Sequence, residues 1–338
     1  MKDVIRERVN MHPLNIMIKS TGAYVPENIV SNHDIEKLVD TSDEWIISRT
    51  GIKNRRIAVN GQATSDMAYE AAKMALERAG MTAEEIELII VGTITPDMFF
   101  PSTGCFVQNK LGAKNAVAMD VNAACSGYIF SLVIASGFLE SGTYANALII
   151  GAEKLSSIID WEDRSTCVLF ADGAGASIIV PSSGPSKLLA FDLGTDGGYE
   201  KLLFIPGGGS KNPSTKETVE SRMHYIKMNG NTVFKIAVNK MRETLNKSIK
   251  AAGITTDDIT LLIPHQANLR IIEALREYLD LPREKVFVNI DKYGNTSAAS
   301  IGIALDEARE MGLINRGDII AFAAFGGGLT WGSAIIRY

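Results

Sequence analysis

ERAGMTAEEIELIIVGTI (Glu77–Ile94) and KAAGITTDDITLLIPHQA (Lys250–Ala267) are two versions of one pattern, offset by 173 residues. Ala79/Ala252, Gly80/Gly253, Thr82/Thr255, Ile86/Ile259, Leu88/Leu261 and Ile90/Ile263 are identical in register. Each copy reads as the end of a helix, a glycine C-cap, a short acidic turn and a buried strand. A second correspondence follows at nearly the same offset. The predicted helix Ser126–Ser141 and strand NALIIG (146–151) match the helix Ser297–Met311 and strand DIIAFA (318–323). A period this long excludes a solenoid and predicts a duplicated domain.

Each half alternates helices with strands that are apolar throughout, the pattern of sheets covered on both faces, so the fold class is α/β. Ser31 and Thr64 read as helix N-caps, the first with Asp34 completing a capping-box variant. PSSGPSK (Pro181–Lys187) is turn-rich and marks the boundary between halves. GTDGG (Gly194–Gly198) and PGGGSKNPSTKET (Pro206–Thr218) read as surface loops. Two halves related by a pseudo-twofold axis bring equivalent strand ends and helix starts together. Cys125 falls at almost the repeat position of Asn295 and Thr296, and His265 ends the strand equivalent to the one leading into Gly92.

The chain has 338 residues, 46% of them hydrophobic, enough for one large core or two ordinary ones. A net charge of −5 argues against nucleic acid as a partner, although a local basic patch is compatible with it. Cysteines 105, 125 and 167 form no CxxC pair, so neither a disulfide framework nor a zinc site is expected, and a cytoplasmic protein is. MKDVIRERVNMHP at the start has no apolar segment of signal-peptide type, and no apolar run is long enough to span a bilayer.

Cys125 lies in AMDVNAACSGYIFSLVIASGFLES, where a strand-like run turns into a helix-like one. A thiol at a helix start meets unpaired N–H groups and the positive end of the macrodipole, which favours the thiolate. A buried, inert cysteine is the competing reading. Of four histidines, His265 alone ends a buried strand (TLLIPHQANLR) ahead of a helix beginning near Asn268, a position open to a catalytic or a structural role. Asn295, in DKYGNTSAASIGIAL, reads as a turn or cap residue, and the small residues Ala298, Ala299, Ser300 and Gly302 predict close backbone approach. FGGGLTWGSAII (Phe325–Ile336) joins two strands, either as a permissive hairpin or as a source of N–H groups for a reacting carbonyl. No GxxxxGKS/T, complete GxGxxG, GxSxG or HExxH occurs, and DGAGAS (Asp172–Ser177) is incomplete as a dinucleotide fingerprint.

Taken together, TGAYVPENIVSN, TSDEWIISRTGIKNRRIA, FPSTGCFVQNKLG, DVNAACSGY, ADGAGAS, PHQANLRII, GNTSAASI and FGGGLTWGSA resemble the β-ketoacyl-acyl-carrier-protein synthase III family over nearly the whole chain from about Met17. The resemblance implies a thiolase-like fold, duplicated in five layers α-β-α-β-α. It divides the chain into an extension (1–16), a half carrying Cys125 (17–184) and a half carrying His265 and Asn295 (185–338). It implies that Cys125 is the nucleophile, with His265 and Asn295 as partners and the N–H groups of Cys125 and Gly327 as an oxyanion hole. The implied reaction takes acetyl-CoA or another short acyl-CoA and condenses it with malonyl-acyl carrier protein, with loss of CO2 and no metal or redox cofactor. Trp45, Arg49, Arg164 and Asn268 are implied at coenzyme A. Gln266, Ala267, Asn268, Leu269 and Arg270, with Lys235, are implied at the carrier protein. Some relatives carry two lysines further along that helix, where this chain has Glu277 and Tyr278. Phe100 is implied to close the primer pocket across a homodimer interface. A related synthase or acyltransferase of secondary metabolism, and a catalytically silent scaffold of the same fold, are the alternatives.

Overall fold

The computed structural model describes residues 12–338; residues 1–11, most of the expected extension, lie outside the described part. The strands are β1 (Ile16–Tyr24), β2 (Ile29–Ser31), β3 (Asn54–Arg56), β4 (Leu88–Gly92), β5 (Val117–Val121), β6 (Ala147–Lys154), β7 (Asp172–Pro181), β8 (Lys187–Thr195), β9 (Leu203–Phe204), β10 (Lys227–Met228), β11 (Leu261–Pro264), β12 (Ile319–Gly326) and β13 (Thr330–Arg337). The helices are α1 (Asn32–Glu36), α2 (Asp43–Thr50), α3 (Thr64–Ala79), α4 (Thr103–Leu111), α5 (Gly127–Glu140), α6 (Arg164–Cys167), α7 (Lys216–Glu220), α8 (Gly230–Ala252), α9 (Leu269–Tyr278), α10 (Ile290–Tyr293) and α11 (Ala299–Glu310).

The two main sheets share one plan. The first runs β1-β7-β6-β4-β5 and the second β8-β13-β12-β11. β4 is parallel to β5 and β6, as β11 is to β12, while β7 and β13 run antiparallel to their neighbours. Where the first sheet has β5, the second keeps only a parallel bridge between Leu262 and Val286. Ser182–Ser186 connects the last strand of one sheet to the first of the other. The fold already includes Leu14, whose N–H and carbonyl both pair with Leu188.

Residue alternation explains the layers. Leu88 and Ile90 point inward and join Tyr128 and Leu132 of α5, Ile301 and Leu305 of α11, and Ile263 and Phe322 of the second sheet in one central core. Ile89 and Val91 point outward beneath Ala68, Ala71 and Ala75 of α3. On the far side, Met241, Leu245, Ile272 and Leu275 of α8 and α9 cover Leu262, Ala321 and Ile335. Both faces of each sheet are buried, hence strands without polar alternation and a five-layered α-β-α-β-α stack.

Two local expectations change. Ser31 caps α1 with Asp34 returning the bond, but Ala63, not Thr64, is the N-cap of α3. There the Asp66 carboxylate accepts from the Ala63 N–H at 2.7 Å, which frees the Thr64 hydroxyl to donate to the Thr95 carbonyl at 2.6 Å. The stretch Pro206–Thr218 runs into α7, capped by Thr215, and Gly194 lies in β8, paired with Trp331, whose ring leaves no room for a side chain there.

The inner helices approach the sheets backbone to backbone. A Cβ on Gly151 would lie 2.1 Å from the Ala298 carbonyl oxygen, and one on Gly175 would lie 2.4 Å from the Gly302 carbonyl carbon. Neither neighbour is a flexible side chain, so the clash cannot be relieved by a rotamer change. Gly151→Ala is expected to destabilise by at least ~2 kcal/mol. By contrast Gly80→Ala, at a left-handed C-cap (φ 62°) with open space around it, should cost about 1 kcal/mol. Urea unfolding at constant m-value measures both, and equal losses would contradict the packing argument.

Candidate active site

Cys125 leaves β5 through a 3-10 turn (Ala124–Ser126) that feeds α5. Backbone crowding fixes this turn. A Cβ on Gly326 would lie 2.6 Å from the Cys125 nitrogen, and one on Gly92 would lie 2.8 Å from the Gly127 carbonyl carbon. Ala124 itself is held at φ 47°, a left-handed conformation costly for a residue with a side chain. Ser297 has φ 50° and lies 173 residues further on, the offset of the repeat. The two halves therefore bend the chain alike at equivalent points, one placing Cys125 and the other following Asn295.

Asn295 is tied to the first half: its N–H donates to the Leu169 carbonyl and its carbonyl accepts from the Ala171 N–H, both at 2.9 Å. Its side-chain Oδ1 accepts from the Ser297 N–H at 2.9 Å. His265 extends β11, donating from its backbone N–H to the Ala323 carbonyl at 2.8 Å. Its Nδ1 lies 2.7 Å from Ser300 Oγ, which also accepts from the Gln266 N–H at 3.3 Å. α11 begins at Ala299, so Asn295, Thr296 and Ser297 form its approach rather than its first turn.

Cys125, His265 and Asn295 line one cavity of about 590 Å³. All three are buried. Burial holds His265 down at about 3, so its imidazole is neutral at physiological pH. Burial also pushes the Cys125 thiol up to about 12, opposed in part by hydrogen bonding from the Ser297 side chain and reinforced by the nearby Glu153 carboxylate. The helix start is where the sequence predicted it, and burial there works against the anionic sulfur that a helix terminus favours.

The cavity's outer lining is cationic and aromatic. Trp45 and Arg49 share one face of α2, and the Arg164 guanidinium stacks 5.0 Å from the Trp45 ring while donating to the Asp40 carbonyl at 2.8 Å. Asn268 caps α9 and donates from Nδ2 to the Arg49 carbonyl at 3.0 Å, joining α2 to α9. Lys235 on α8 and Arg270 on α9 are exposed at the same opening, with Arg270 stacked on Phe234 at 5.1 Å. Ala267 and Leu269 lie half-buried between them.

Gln266 departs from its expected place on the docking face. Its amide is buried, donating to the Pro264 and Phe287 carbonyls and accepting from the Asn289 N–H, which makes it an internal strut. Gly327 belongs to the turn between β12 and β13, but Gly326 is the residue pressed against the Cys125 nitrogen. Phe100 is 83% exposed and does not reach the cavity of its own chain. Ser297, Ser300 and Glu153 are members of the site that sequence reasoning passed over. The signal for Glu153 was an acid ending the apolar run NALIIGAEK. Among the described residues, no cluster of histidine, cysteine, aspartate and glutamate is arranged to hold a metal, and no helix is long and apolar enough to cross a membrane.

Comparison with known proteins agrees with this geometry. Residues 119–197 match the family described as 3-oxoacyl-[acyl-carrier-protein (ACP)] synthase III, and residues 249–338 match its C-terminal domain. A β-ketoacyl-[acyl-carrier-protein] synthase III of Caldanaerobacter subterraneus subsp. tengcongensis is 56% identical over 321 residues, covering 95% of this chain and 97% of that protein. One from Aquifex aeolicus is 52% identical, covering 95% and 99%. The crystal structure of 3-oxoacyl-[acyl-carrier-protein] synthase III from Aquifex aeolicus superposes with a TM-score of 0.90 at 51% identity, covering 96% of this chain and 100% of that one. The fold, the converging cysteine, histidine and asparagine, and this similarity over almost the entire length place the chain in the β-ketoacyl-acyl-carrier-protein synthase III family.

Proposed function

We propose that the protein condenses acetyl-CoA, or another short acyl-CoA, with malonyl-acyl carrier protein to start fatty acid synthesis. The observation that carries this reading is that His265 and Asn295 line the cavity that holds Cys125, each with its other polar side-chain atom already engaged, Nδ1 by Ser300 and Oδ1 by Ser297. Nδ1 of His265 is engaged by the Ser300 hydroxyl at 2.7 Å, and we assign the tautomer in which that hydroxyl donates to Nδ1 and Nε2 carries the hydrogen. Asn295 Oδ1 is occupied by the Ser297 N–H, which leaves Nδ2 as the donor.

In this reading the Cys125 sulfur attacks the thioester carbonyl, the coenzyme A sulfur leaves with its bonding electrons, and an acyl-enzyme remains. In this reading the N–H groups of Cys125 and Gly327 hydrogen-bond the tetrahedral oxyanion. Malonyl-acyl carrier protein then binds, and the electron pair of its departing carboxylate forms an enolate. The enolate oxygen takes hydrogen bonds from His265 Nε2 and Asn295 Nδ2. Its carbon attacks the acyl-Cys125 carbonyl, and the Cys125 sulfur is released as 3-oxoacyl-acyl carrier protein forms. No step needs a metal or redox cofactor.

The Trp45 ring with Arg49 and Arg164 suits the adenine and phosphates of coenzyme A, with Asn268 fixing Arg49. Lys235, Asn268 and Arg270, with Ala267 and Leu269, form a basic face for an acidic carrier on a chain of net charge −5. Arg242 stacks 3.7 Å from the Tyr278 ring, which keeps positive charge where the relatives' lysines are missing. Met98, Phe99, Phe100 and Val117 expose an apolar patch. A homodimer would cover it, with Phe100 entering the partner's primer pocket. Three unpaired cysteines accord with a cytoplasmic location.

Radiolabelled acetyl-CoA should label Cys125, and added malonyl-acyl carrier protein should discharge the label as acetoacetyl-carrier. His265→Ala and Asn295→Ala should each keep labelling and lose ~10²-fold or more in condensation. A labelled enzyme that never yields acetoacetyl-carrier would defeat the proposal. His265 at about 3 predicts a ring that stays neutral from pH 5 to 8, so its carbon-bound ring proton should not titrate by NMR; an inflection near 6.5 would contradict it. Phe100→Asp should convert the dimer to monomer in sedimentation at micromolar concentration, while Phe100→Ala should admit longer acyl-CoA primers.

A further inference from the structure

Among the described residues Arg55, at the centre of β3, is the largest fully buried side chain. Its guanidinium donates to three neutral oxygens. Nη1 reaches the Val30 carbonyl at 3.2 Å, and Nη2 reaches the Asn32 side-chain oxygen at 2.8 Å and the Val168 carbonyl at 3.0 Å. No carboxylate pairs with it among the described residues, and its Nε has no hydrogen-bond partner there. Burial pulls its pKa down to about 10, so the charge persists at neutral pH. A buried cation without a counter-ion is destabilising, and an apolar side chain of similar length would fill the space without that cost.

What the charge accomplishes is visible in what its donors hold. The Val168 carbonyl opens the segment Val168–Leu169–Phe170, whose three residues line the cavity with Cys125. Asn295 lies along this segment like a one-residue strand: a parallel bridge pairs it with Phe170, through the Leu169 carbonyl and the Ala171 N–H. The Arg55 stem packs on the residue just before it. A Cβ on Gly294 (φ 67°) would lie 3.2 Å from the Cβ atoms of Arg55 and Ala171 and from the Leu169 carbonyl oxygen. The Lys53 N–H donates to the Asp291 carbonyl of α10 at 3.1 Å, a further tie between β3 and the turn that delivers Asn295. Asn32 aims the guanidinium: its Oδ1 accepts from Arg55, while its Nδ2 donates to the Ile52 carbonyl and the Asp43 carboxylate, both at 2.8 Å. Arg55 itself stands behind the cavity wall and does not line it.

We infer that Arg55 is a positioning residue for Asn295: its guanidinium gathers the Val30, Asn32 and Val168 oxygens and so fixes the strip of chain against which Asn295 is aligned. A planar fork of N–H groups reaches divergent acceptors at once, which the single ammonium of a lysine does not. The inference rests on the proposed reaction, in which Asn295 Nδ2 serves the malonyl enolate and takes no part in acylation of Cys125. Misplacing a donor by a fraction of its bond length weakens only the step that uses it. Losing the fork therefore harms condensation and spares acylation.

Arg55→Lys keeps the charge and the stem but not the fork. It should lose at least about tenfold in kcat for discharge of acetyl-Cys125 by malonyl-acyl carrier protein, while the rate of labelling and the KM for acetyl-CoA stay within about twofold. A loss of folded protein alone would lower labelling and discharge together. In an Asn295→Ala background the same substitution should cost less than about twofold more, because the group it aims is gone. A second measurement needs no substrate. In hydrogen exchange followed by mass spectrometry, the Ala171 and Asn295 amides of Arg55→Lys should exchange at least about tenfold faster, while the His265 amide, bonded to the Ala323 carbonyl, keeps its protection. Asn32→Ala leaves the guanidinium in place and withdraws one acceptor. It should show the same split on a smaller scale, and it decides the matter where Arg55→Lys does not fold. Equal losses in labelling and discharge, a full additional loss in the Asn295→Ala background, or unchanged exchange at Asn295 would overturn the assignment. Faster exchange at Asn295, in a protein whose unaltered form never discharges its label, would sustain Arg55 as the anchor of Asn295 and count against the proposed function instead.

Discussion

The protein depends on main chain meeting main chain where the two inner helices start. Gly92 against Gly127, Gly151 against Ala298 and Gly175 against Gly302 let α5 and α11 touch the sheets without intervening side chains. Any Cβ at these points would push a helix start outward, and the groups at those starts are Cys125 on one side and the approach from Asn295 on the other. Packing and chemistry are thus one constraint, because the reacting side chains inherit their positions from contacts that cannot relax by changing a rotamer.

A second theme is the scarcity of charge at the reaction centre. Desolvation keeps His265 neutral and holds the Cys125 thiol protonated, and the full cations lie at the outer opening as Arg49, Arg164, Lys235 and Arg270. In the proposed reaction the neutral donors Nε2 of His265 and Nδ2 of Asn295 answer charge that develops on the substrate without first being stripped of water. The outer cations attract anionic partners over a longer range, where a point charge acts better than a precisely aimed dipole.

The duplication was legible because both copies solve the same folding problem. Glycine C-caps at 80 and 253, the acidic turns and the apolar strands must satisfy helix termini and doubly covered sheets in each half, so the pattern survived in both. Divergence is concentrated at the inner helix starts. Ala124 and Ser297 retain the same left-handed bend, yet one is followed by Cys125, the proposed nucleophile, and the other by Ala298, packed on Gly151. One half contributes the sulfur and the other the hydrogen-bond donors. Neither half alone is a site.

By itself the sequence determined the α/β class, the repeat, the central strands and the cysteine, histidine and asparagine to watch, since periodicity and local turn chemistry write themselves into neighbouring residues. Tertiary structure decided what those residues experience. It buried Cys125, which raises the thiol's pKa against the pull of its helix start, and it turned Gln266 into an internal strut. It made Ala63 rather than Thr64 the cap of α3, and it set Ser300 and Glu153 beside residues far away in the chain. Burial, hydrogen-bond saturation and the pairing of charges depend on distances between segments, and no local stretch of sequence contains those distances.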